Sequence, residues 1–273
     1  MTDVITLNNG NTITEIGFGT WQISDGEEVT QAVVSAVAAG YRLIDTAKIY
    51  GNEVGVGNGI KSSGVPREDL FITSKLWNDD QGYESALLAF DQTLERLELE
   101  YLDLYLMHWP ISGKRLDSWK ALEEIYKSGK AKNIGVSNFT IRHLEELLAV
   151  SNIAPAVNQV EFHPFLFDEQ KALLEYCNAK GITLEAYSPL AHGQKLENET
   201  ITKIAKKHTK TNAQILLRWA VEHGVVPIPK SRSAERMAEN IAIFDFKLDD
   251  EDMEKLNAPG DGTRTCPDPN EME

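Results

Sequence analysis

The sequence predicts an α/β protein whose fold is a (β/α)8, or TIM, barrel with an N-terminal β-hairpin and a short C-terminal tail. Three observations support this prediction. Short apolar runs alternate with amphipathic helical patterns, the alternation repeats eight times, and glycines follow several of the helical stretches. Parallel strands need crossover connections such as these helices, and eight such units close into a barrel. We expect one domain over residues 1–273.

The elements follow in a regular order along the chain. Residues 4–14 are predicted to form two short strands around an Asn9–Gly10 turn, because these residue types tolerate a positive φ. Eight pairs of strand and helix come next, and residues 257–270 are aperiodic and loop-like. The predicted pairs are Glu15–Gly19 with Glu27–Ala39, Leu43–Asp45 with Glu53–Ser62, Phe71–Lys75 with Tyr83–Leu97, Leu102–Leu106 with Leu116–Ser128, Lys132–Val136 with Ile141–Val150, Ala156–Val160 with Asp168–Lys180, Thr183–Ala186 with a helical region through His223, and Val225–Ile228 with Ala234–Ile241.

Glycine positions favour the barrel over a doubly wound open sheet. Glycines stand just beyond periodic stretches, where a left-handed residue ends a helix. An open sheet that bound a dinucleotide would carry a Gly-x-Gly-x-x-Gly turn after its first strand. Residues 17–22 lack the third glycine, and the glycines of residues 55–59 have the wrong spacing and lie in a predicted helix. The helix-ending glycines are Gly40, Gly64, Gly129, Gly181 and Gly224.

The composition is that of a globular protein and excludes several classes of partner. Hydrophobic residues make up 42% and charged residues 25%, and the net charge is −15. Such acidity argues against nucleic acid or an anionic membrane as a partner, because a protein that binds their phosphates needs an excess of Lys and Arg. The first residues do not have the pattern of a signal peptide, and no run approaches the roughly 20 apolar residues of a membrane span, so we expect neither export nor membrane insertion. We expect a cytoplasmic protein in which Cys177 and Cys266 are free thiols.

Four side chains at predicted strand ends form a candidate catalytic group. Asp45, Lys75 and His108 end or just follow strands, and Tyr50 lies in the loop after one. The carboxyl ends of barrel strands share one face, where such barrels carry out chemistry. An ammonium beside a phenol lowers the phenol pKa from about 10, while a carboxylate holds the ammonium in place. The histidine could hydrogen-bond the substrate oxygen or relay the proton. The group is therefore suited to protonating a carbonyl oxygen during reduction by hydride.

Each of these residues alone also has a purely structural explanation. Asp45 could cap a turn, Tyr50 and His108 could pack in the core, and Lys75 could extend to solvent. The combination favours function, because a lysine and an aspartate inside buried strands are costly unless they are paired.

Several motifs, in one order along essentially the whole chain, resemble the aldo-keto reductase family. The resemblance is to its small bacterial members, such as diketogluconate and methylglyoxal reductases. It implies that Asp45, Tyr50, Lys75 and His108 are the catalytic tetrad, with Tyr50 as general acid. One departure is Leu43, where many relatives carry histidine, and it lies outside the tetrad. The motifs are Gly-Tyr-Arg-Leu-Ile-Asp-Thr-Ala-Lys-Ile-Tyr-Gly-Asn-Glu (residues 40–53), Leu-Tyr-Leu-Met-His-Trp-Pro (104–110), Gly-Val-Ser-Asn-Phe (135–139), Pro-Ala-Val-Asn-Gln-Val-Glu-Phe-His-Pro (155–164), Ala-Tyr-Ser-Pro-Leu (186–190) and Ile-Pro-Lys-Ser (228–231).

A basic cluster late in the chain predicts a phosphate site. Lys230, Arg232 and Arg236 stand at the start of a predicted helix in an otherwise acidic protein. Cations there are unfavourable unless an anion is bound, since the helix N-terminus itself carries partial positive charge. A solvated turn with incidental charges is the alternative.

The family resemblance implies NADPH as cofactor and extends the site. Lys230, Ser231 and Arg236 would hold its 2′-phosphate, and Tyr187 would stack on the nicotinamide. The other residues expected to contact the cofactor are Glu239 and Asn240 near the adenine, Ser137, Asn138 and Gln159 at the carboxamide, Ser188 and Leu190 beside the pyrophosphate, and Thr20 and Asp45.

Three tryptophans are expected to wall the substrate pocket. Trp21, Trp77 and Trp109 each follow a strand at the predicted catalytic face, where they would surround Tyr50 and His108 with apolar surface. The family resemblance implies a monomer that reduces small or sugar-derived aldehydes and ketones to alcohols with NADPH, and we expect no metal ion.

Three other functions fit the sequence less well. A short-chain dehydrogenase would use a Tyr-x-x-x-Lys motif, which Tyr126 and Lys130 satisfy, but Gly129 interrupts the helix they would share. A metal-dependent hydrolase would need clustered ligands such as His-x-His, which the six histidines do not form. A non-catalytic NADP-binding subunit would not need an intact tetrad.

Overall fold

Eight parallel strands surround a common axis in the computed structural model of this protein, which describes residues 4–258 and 260–271. The strands pair in sequence order from first to last. The N–H of Gly19 donates to the carbonyl of Pro229 at 3.1 Å, which links the two outer strands into a nearly closed barrel. The barrel strands are β3 (Gly17–Gly19), β4 (Leu43–Asp45), β5 (Phe71–Leu76), β6 (Leu104–Met107), β7 (Ile134–Ser137), β8 (Val157–Glu161), β9 (Thr183–Tyr187) and β10 (Val226–Pro227).

Helices connect the strands, so the predicted (β/α)8 fold is confirmed. None of the helices within the described ranges is long and apolar enough to cross a membrane. All five glycines predicted to end helices take a positive φ. The helices are α1 (Glu27–Ala39), α2 (Glu53–Ser62), α3 (Tyr83–Leu97), α4 (Arg115–Lys127), α5 (Ile141–Leu148), α6 (Phe167–Lys180), α7 (Glu199–His208), α8 (Asn212–Glu222), α9 (Ala234–Ile241) and α10 (Asp250–Leu256).

Two helical features differ from the sequence prediction. The single helical region expected before His223 is divided into α7 and α8, because Thr209 takes a left-handed φ of 55° and Thr211 caps a new helix. Helix α10 was not predicted. An N-cap residue marks its start: Asp249 accepts a hydrogen bond from the Asp252 N–H.

The N-terminal hairpin seals one end of the barrel. Strands β1 (Val4–Thr6) and β2 (Thr12–Thr14) pair antiparallel, as predicted, and Gly10 rather than Asn9 supplies the positive φ. Leu7 and Ile13 belong to the same apolar cluster as barrel residues such as Leu43 and Leu104. These residues lie near the amino ends of the strands, so the carboxyl ends remain open for a site.

The C-terminal tail is fixed to the barrel by one buried carboxylate. Glu161 is 1% exposed and its oxygens accept from the Thr265 N–H (2.6 Å), the Thr265 hydroxyl (2.7 Å) and the Cys266 N–H (3.2 Å). His163 Nε2 lies 3.0 Å from the same carboxylate. Burial raises the pKa of Glu161, but the hydrogen bonds from His163 and Thr265 outweigh it and leave the pKa below the usual 4.5. The tail is thereby held across the carboxyl end of the barrel.

Replacing this carboxylate should release the tail. Glu161→Ala leaves buried N–H groups unpaired, and we expect a loss of roughly 2–4 kcal/mol in the free energy of unfolding. Amide hydrogen exchange at residues 264–267 should accelerate in parallel. Because the folded-state pKa is depressed, the stabilisation is present above pH 4.5 and lost as the pH falls through the lower folded value. Glu169→Ala, which removes an exposed ion pair with Arg264, is the control; equal exchange in both variants would contradict the assignment.

Candidate active site

A cleft of about 1030 Å³ opens at the carboxyl ends of the barrel strands. It contains most of the residues selected from the sequence. Three of them, Thr20, Lys75 and Ser137, are buried and do not line it. The selected residues that do line it are Trp21, Asp45, Tyr50, Trp77, His108, Trp109, Asn138, Gln159, Tyr187, Ser188, Leu190, Lys230, Ser231, Arg236, Glu239 and Asn240.

Tyr50, Lys75 and Asp45 meet at one point of the cleft wall. Lys75 is fully buried, and its Nζ lies 2.6 Å from Asp45 Oδ1, 3.0 Å from the Thr46 carbonyl and 3.3 Å from the Tyr50 hydroxyl. All three ammonium hydrogens therefore have acceptors. The arrangement holds one positive charge between a carboxylate and a phenol.

The acidity of the phenol differs from the sequence expectation. Burial raises the pKa of Tyr50 and the Lys75 ammonium lowers it; the net pKa is about 12. The expectation of a net lowering was wrong for this ligand-free site, because burial outweighs the ammonium. Burial also acts to lower the pKa of Lys75, but Asp45 and Tyr50 outweigh it and raise this pKa. Lys75 is thus a permanent cation and Tyr50 a neutral phenol at pH 7.

His108 lies beside the phenol as a neutral imidazole. Its ring meets the rings of Tyr50 (centroids 5.9 Å apart) and Trp77 (5.3 Å) edge to face. Burial, aided by the charge of Lys75, holds the pKa of His108 well below its usual value. Its buried Nδ1 has no hydrogen-bond partner among the described residues. A neutral imidazole at this place can make a hydrogen bond to a ligand oxygen.

The loop that carries Tyr50 is anchored by Asn52. This side chain is fully buried, accepts from the Thr46 hydroxyl at 2.9 Å, and donates to the carbonyls of Thr20 (3.0 Å) and Ile23 (2.9 Å). The loop is therefore fixed to the segment after β3, and the phenol is positioned by the fold.

Two of the residues predicted to contact the cofactor have buried hydroxyls that are donated to backbone carbonyls. The Thr20 hydroxyl donates to the Asp45 carbonyl at 2.9 Å, and the Ser137 hydroxyl donates to the Gln159 carbonyl at 2.8 Å. Both hydroxyls are buried and serve to join neighbouring strands. Their predicted contacts with the cofactor stay predictions.

Amide side chains form the central part of the cleft wall. Asn138, with a left-handed φ of 64°, donates to the His108 carbonyl at 3.0 Å and accepts from the Tyr187 hydroxyl at 2.8 Å. Gln159 donates to Asp45 Oδ2 at 2.8 Å. These bonds fix the orientation of both amides at the cleft surface.

The basic segment between β10 and α9 forms the far end of the cleft. Arg232 pairs with Glu28 at 2.8 Å and donates to the Gln22 carbonyl. Lys230 and Arg236 are exposed and make no ion pair with any described residue. Two cations thus remain for an anionic ligand beside the start of α9.

Sequence reasoning missed several residues of the site. Cys266 and Pro267 line the cleft from the tail, and the His192 ring contacts the Trp21 ring at a tilt (centroids 5.4 Å apart). No local pattern marked them, because these contacts join residues distant in the sequence. Glu185, buried on β9 against Gln159, had a signal: it is a charged residue flanked by apolar ones inside a predicted strand. Cys266 and Cys177 are both free, as expected.

The tyrosine and lysine of the alternative dehydrogenase motif lie elsewhere. Tyr126 lies within 3.5 Å of Asn9 in the hairpin, and Lys130 pairs with Asp91 at 2.8 Å. Neither lines the cleft. That alternative is therefore not supported by the geometry.

Comparisons with known proteins by family profile, by sequence and by structure all point to one family. The profile of the Aldo/keto reductase family matches residues 15–260. The chain is 56% identical to a glyoxal reductase of Bacillus subtilis (strain 168), over 99% of this chain and 97% of the relative. It is 48% identical to a 9,11-endoperoxide prostaglandin H2 reductase of Trypanosoma cruzi (strain CL Brener), over 97% and 94%. The crystal structure of a Bombyx mori aldo-keto reductase in complex with NADP superimposes with a TM-score of 0.92 at 37% identity, over 98% and 95%.

Proposed function

The chain belongs to the aldo/keto reductase family, and on that premise we propose that it uses NADPH to reduce small or sugar-derived aldehydes and ketones, with Tyr50 as proton donor. The observation that carries the proposal is the 3.3 Å contact between the Tyr50 hydroxyl and Lys75 Nζ at the cleft wall. The same cleft reaches the two unpaired cations of the β10–α9 segment.

The residues of the cleft fit a phosphorylated dinucleotide. Lys230 and Arg236 are suited to its 2′-phosphate, because they are unpaired cations in a chain of net charge −15. The amides of Asn138 and Gln159 are suited to the carboxamide, and the Tyr187 ring to the nicotinamide face. The relative from Bombyx mori was solved with NADP, which supports the same cofactor here.

The proposed reaction depends on a proton that stays on Tyr50 until it is needed. When bound, the nicotinamide supplies a hydride to the carbonyl carbon. As negative charge develops on the carbonyl oxygen, Tyr50 donates its proton to that oxygen. A phenol with a pKa of about 12 is fully protonated at pH 7 and is still a stronger acid than the aliphatic alcohol that forms. Lys75 stabilises the phenolate that remains.

Neutral substrates fit the catalytic end of the cleft better than anionic ones. Trp21, Ile49, Trp77 and Trp109 line it together with neutral His108. Among the described lining residues, the lysines and arginines are Lys230, Arg232 and Arg236, all in the β10–α9 segment. The cation beside Tyr50, Lys75, is buried, already paired with Asp45 and does not line the cleft, so we propose uncharged carbonyl compounds. The glyoxal reductase of Bacillus subtilis is a relative whose name indicates such a substrate.

A single domain, a monomeric state and a cytoplasmic location stay predictions from the sequence. They do not affect the chemistry proposed for the cleft.

Removing the phenol hydroxyl should abolish reduction but not cofactor binding. Tyr50→Phe deletes only the proton donor, and we expect kcat/KM for a small aldehyde to fall at least roughly 100-fold. The Kd for NADPH, measured by fluorescence titration, should stay within about twofold, since no charge is removed. Tyr126→Phe, outside the cleft, is the matched control and should match wild type. Turnover near wild type in Tyr50→Phe would assign the acid to another residue.

Removing the ammonium should be nearly as harmful. Lys75→Met leaves Asp45 as a buried unpaired carboxylate and removes the cation that stabilises phenolate. We expect kcat to fall roughly 100-fold or more, with a lower melting temperature. Lys48→Met, which breaks the part-exposed pair with Asp80, is the control. A folded Lys75→Met variant that reduces aldehydes at the wild-type rate would contradict the proposed role.

The unpaired cations should set the preference for NADPH. In Arg236→Ala, kcat/KM with NADPH should fall roughly 10- to 100-fold, as expected for loss of a charge-assisted contact of about 1.5–3 kcal/mol. The value with NADH should hardly change. In Arg232→Ala, kcat/KM with NADPH should fall less than in Arg236→Ala, because Arg232 already pairs with Glu28. Equal use of NADPH and NADH by the wild type would refute the preference.

A further inference from the structure

Glu185 is a buried ionisable group that the proposed mechanism does not use. It is 0% exposed and lies on β9, two residues before Tyr187 and on the same side of the strand. In the strand register it pairs with Gln159 of β8 and Val226 of β10. Its side chain therefore points into the barrel, directly beneath the residue proposed to stack on the nicotinamide.

One amide joins Glu185 to the catalytic group. Gln159 Nε2 lies 2.9 Å from Glu185 Oε2 and 2.8 Å from Asp45 Oδ2. Both N–H groups are thus donated to carboxyl oxygens, which leaves Gln159 Oε1 for the cleft. The other oxygen of Asp45 accepts from Lys75. Glu185 belongs to a connected polar layer that reaches Tyr50 and the cleft surface.

The charges of this layer balance only if Glu185 keeps its proton. Among the described residues, Asp45 and Lys75 are the charged groups that act on Glu185, and its strand neighbours Gln159 and Val226 are uncharged. One ammonium faces two buried carboxyls, so a second carboxylate has no counter-charge. Burial, together with Asp45, raises the pKa of Glu185 to about 8. Its Oε1 has no partner in the described parts of the chain.

A positive charge placed above this layer would supply the missing counter-charge. The nicotinamide ring is neutral in NADPH and cationic in NADP+. In a buried site, a single added charge shifts the protonation of a neighbouring carboxyl strongly. The two redox states of the cofactor would therefore favour different protonation states of Glu185.

We propose that Glu185 is a positioning residue that distinguishes the two redox states of the cofactor: it is a neutral carboxylic acid beneath NADPH and releases its proton to solvent when NADP+ binds. The inference rests on the proposed function, since it places the nicotinamide against Tyr187 and Gln159. Binding of NADP+ therefore releases a fraction of a proton from Glu185, which returns when NADPH replaces NADP+, so the charge of the polar layer follows that of the ring. Binding of NADP+, but not of NADPH, then strengthens as the pH rises.

The pH dependence of the two dissociation constants tests the proposal. In wild type, the ratio of the Kd for NADP+ to the Kd for NADPH should fall roughly tenfold between pH 6 and 9.5. In Glu185→Gln the ratio should change less than about twofold, because the amide keeps the hydrogen bond to Gln159 but cannot ionise. Tyr50→Phe should keep the wild-type dependence, because a phenol with a pKa of about 12 stays protonated over this pH range. The same fall in wild type and Glu185→Gln would overturn the proposal.

Two further measurements keep the test decisive if Glu185→Gln folds poorly. Calorimetric titration of wild type in buffers of different ionisation enthalpy should detect proton release with NADP+ and none with NADPH near pH 7.5. Equal release for both cofactors would overturn the proposal. Glu123→Gln, which alters a buried carboxylate remote from the cleft, should keep the wild-type ratio at every pH. Absence of NADPH binding in wild type would overturn both this inference and the proposed function, whereas normal binding with unaltered ratios overturns the inference alone.

Discussion

The ion pair between Asp45 and Lys75 is the interaction on which the rest of the site depends. The two atoms are 2.6 Å apart, and neither side chain is more than 2% exposed. A buried ion pair seldom stabilises a fold better than apolar residues of the same size would. Its presence in the barrel therefore indicates a functional reason. Tyr50 and Gln159 both use the pair, one through the ammonium and the other through the second carboxylate oxygen.

The interior of the barrel has an apolar half and a polar half, and the ion pair lies in the polar half. Near the amino ends of the strands, residues such as Leu43, Leu104 and Val157 fill the interior, and the hairpin covers them. Towards the carboxyl ends the interior becomes polar. Polar groups above a sealed apolar layer find partners only in one another or in a ligand. The polar layer therefore lies between the apolar half of the barrel and the cleft.

The sequence predicted features that depend on residues close together in the chain, and missed features that depend on residues far apart. Strand and helix patterns are local, and parallel strand ends share a face, so the barrel and the meeting of Tyr50 with Lys75 were within reach. The pKa of Tyr50 was not, because burial depends on residues distant in the sequence. The carbonyls to which the Thr20 and Ser137 hydroxyls donate are equally distant in the sequence. The docking of Cys266 against the barrel depends on Glu161, over one hundred residues earlier.

The protonation states within the site favour the phenol as donor over its neighbours. Lys75 has each of its hydrogens engaged and a raised pKa, so its proton is held firmly. His108 is neutral near pH 7 because its pKa lies well below the usual value, and a neutral imidazole is a poor acid. Tyr50 alone combines a bound proton with an adjacent cation that stabilises its conjugate base. In the proposed reaction, the ammonium and the imidazole would therefore orient and polarise the substrate, and the phenol would release its proton to the alkoxide.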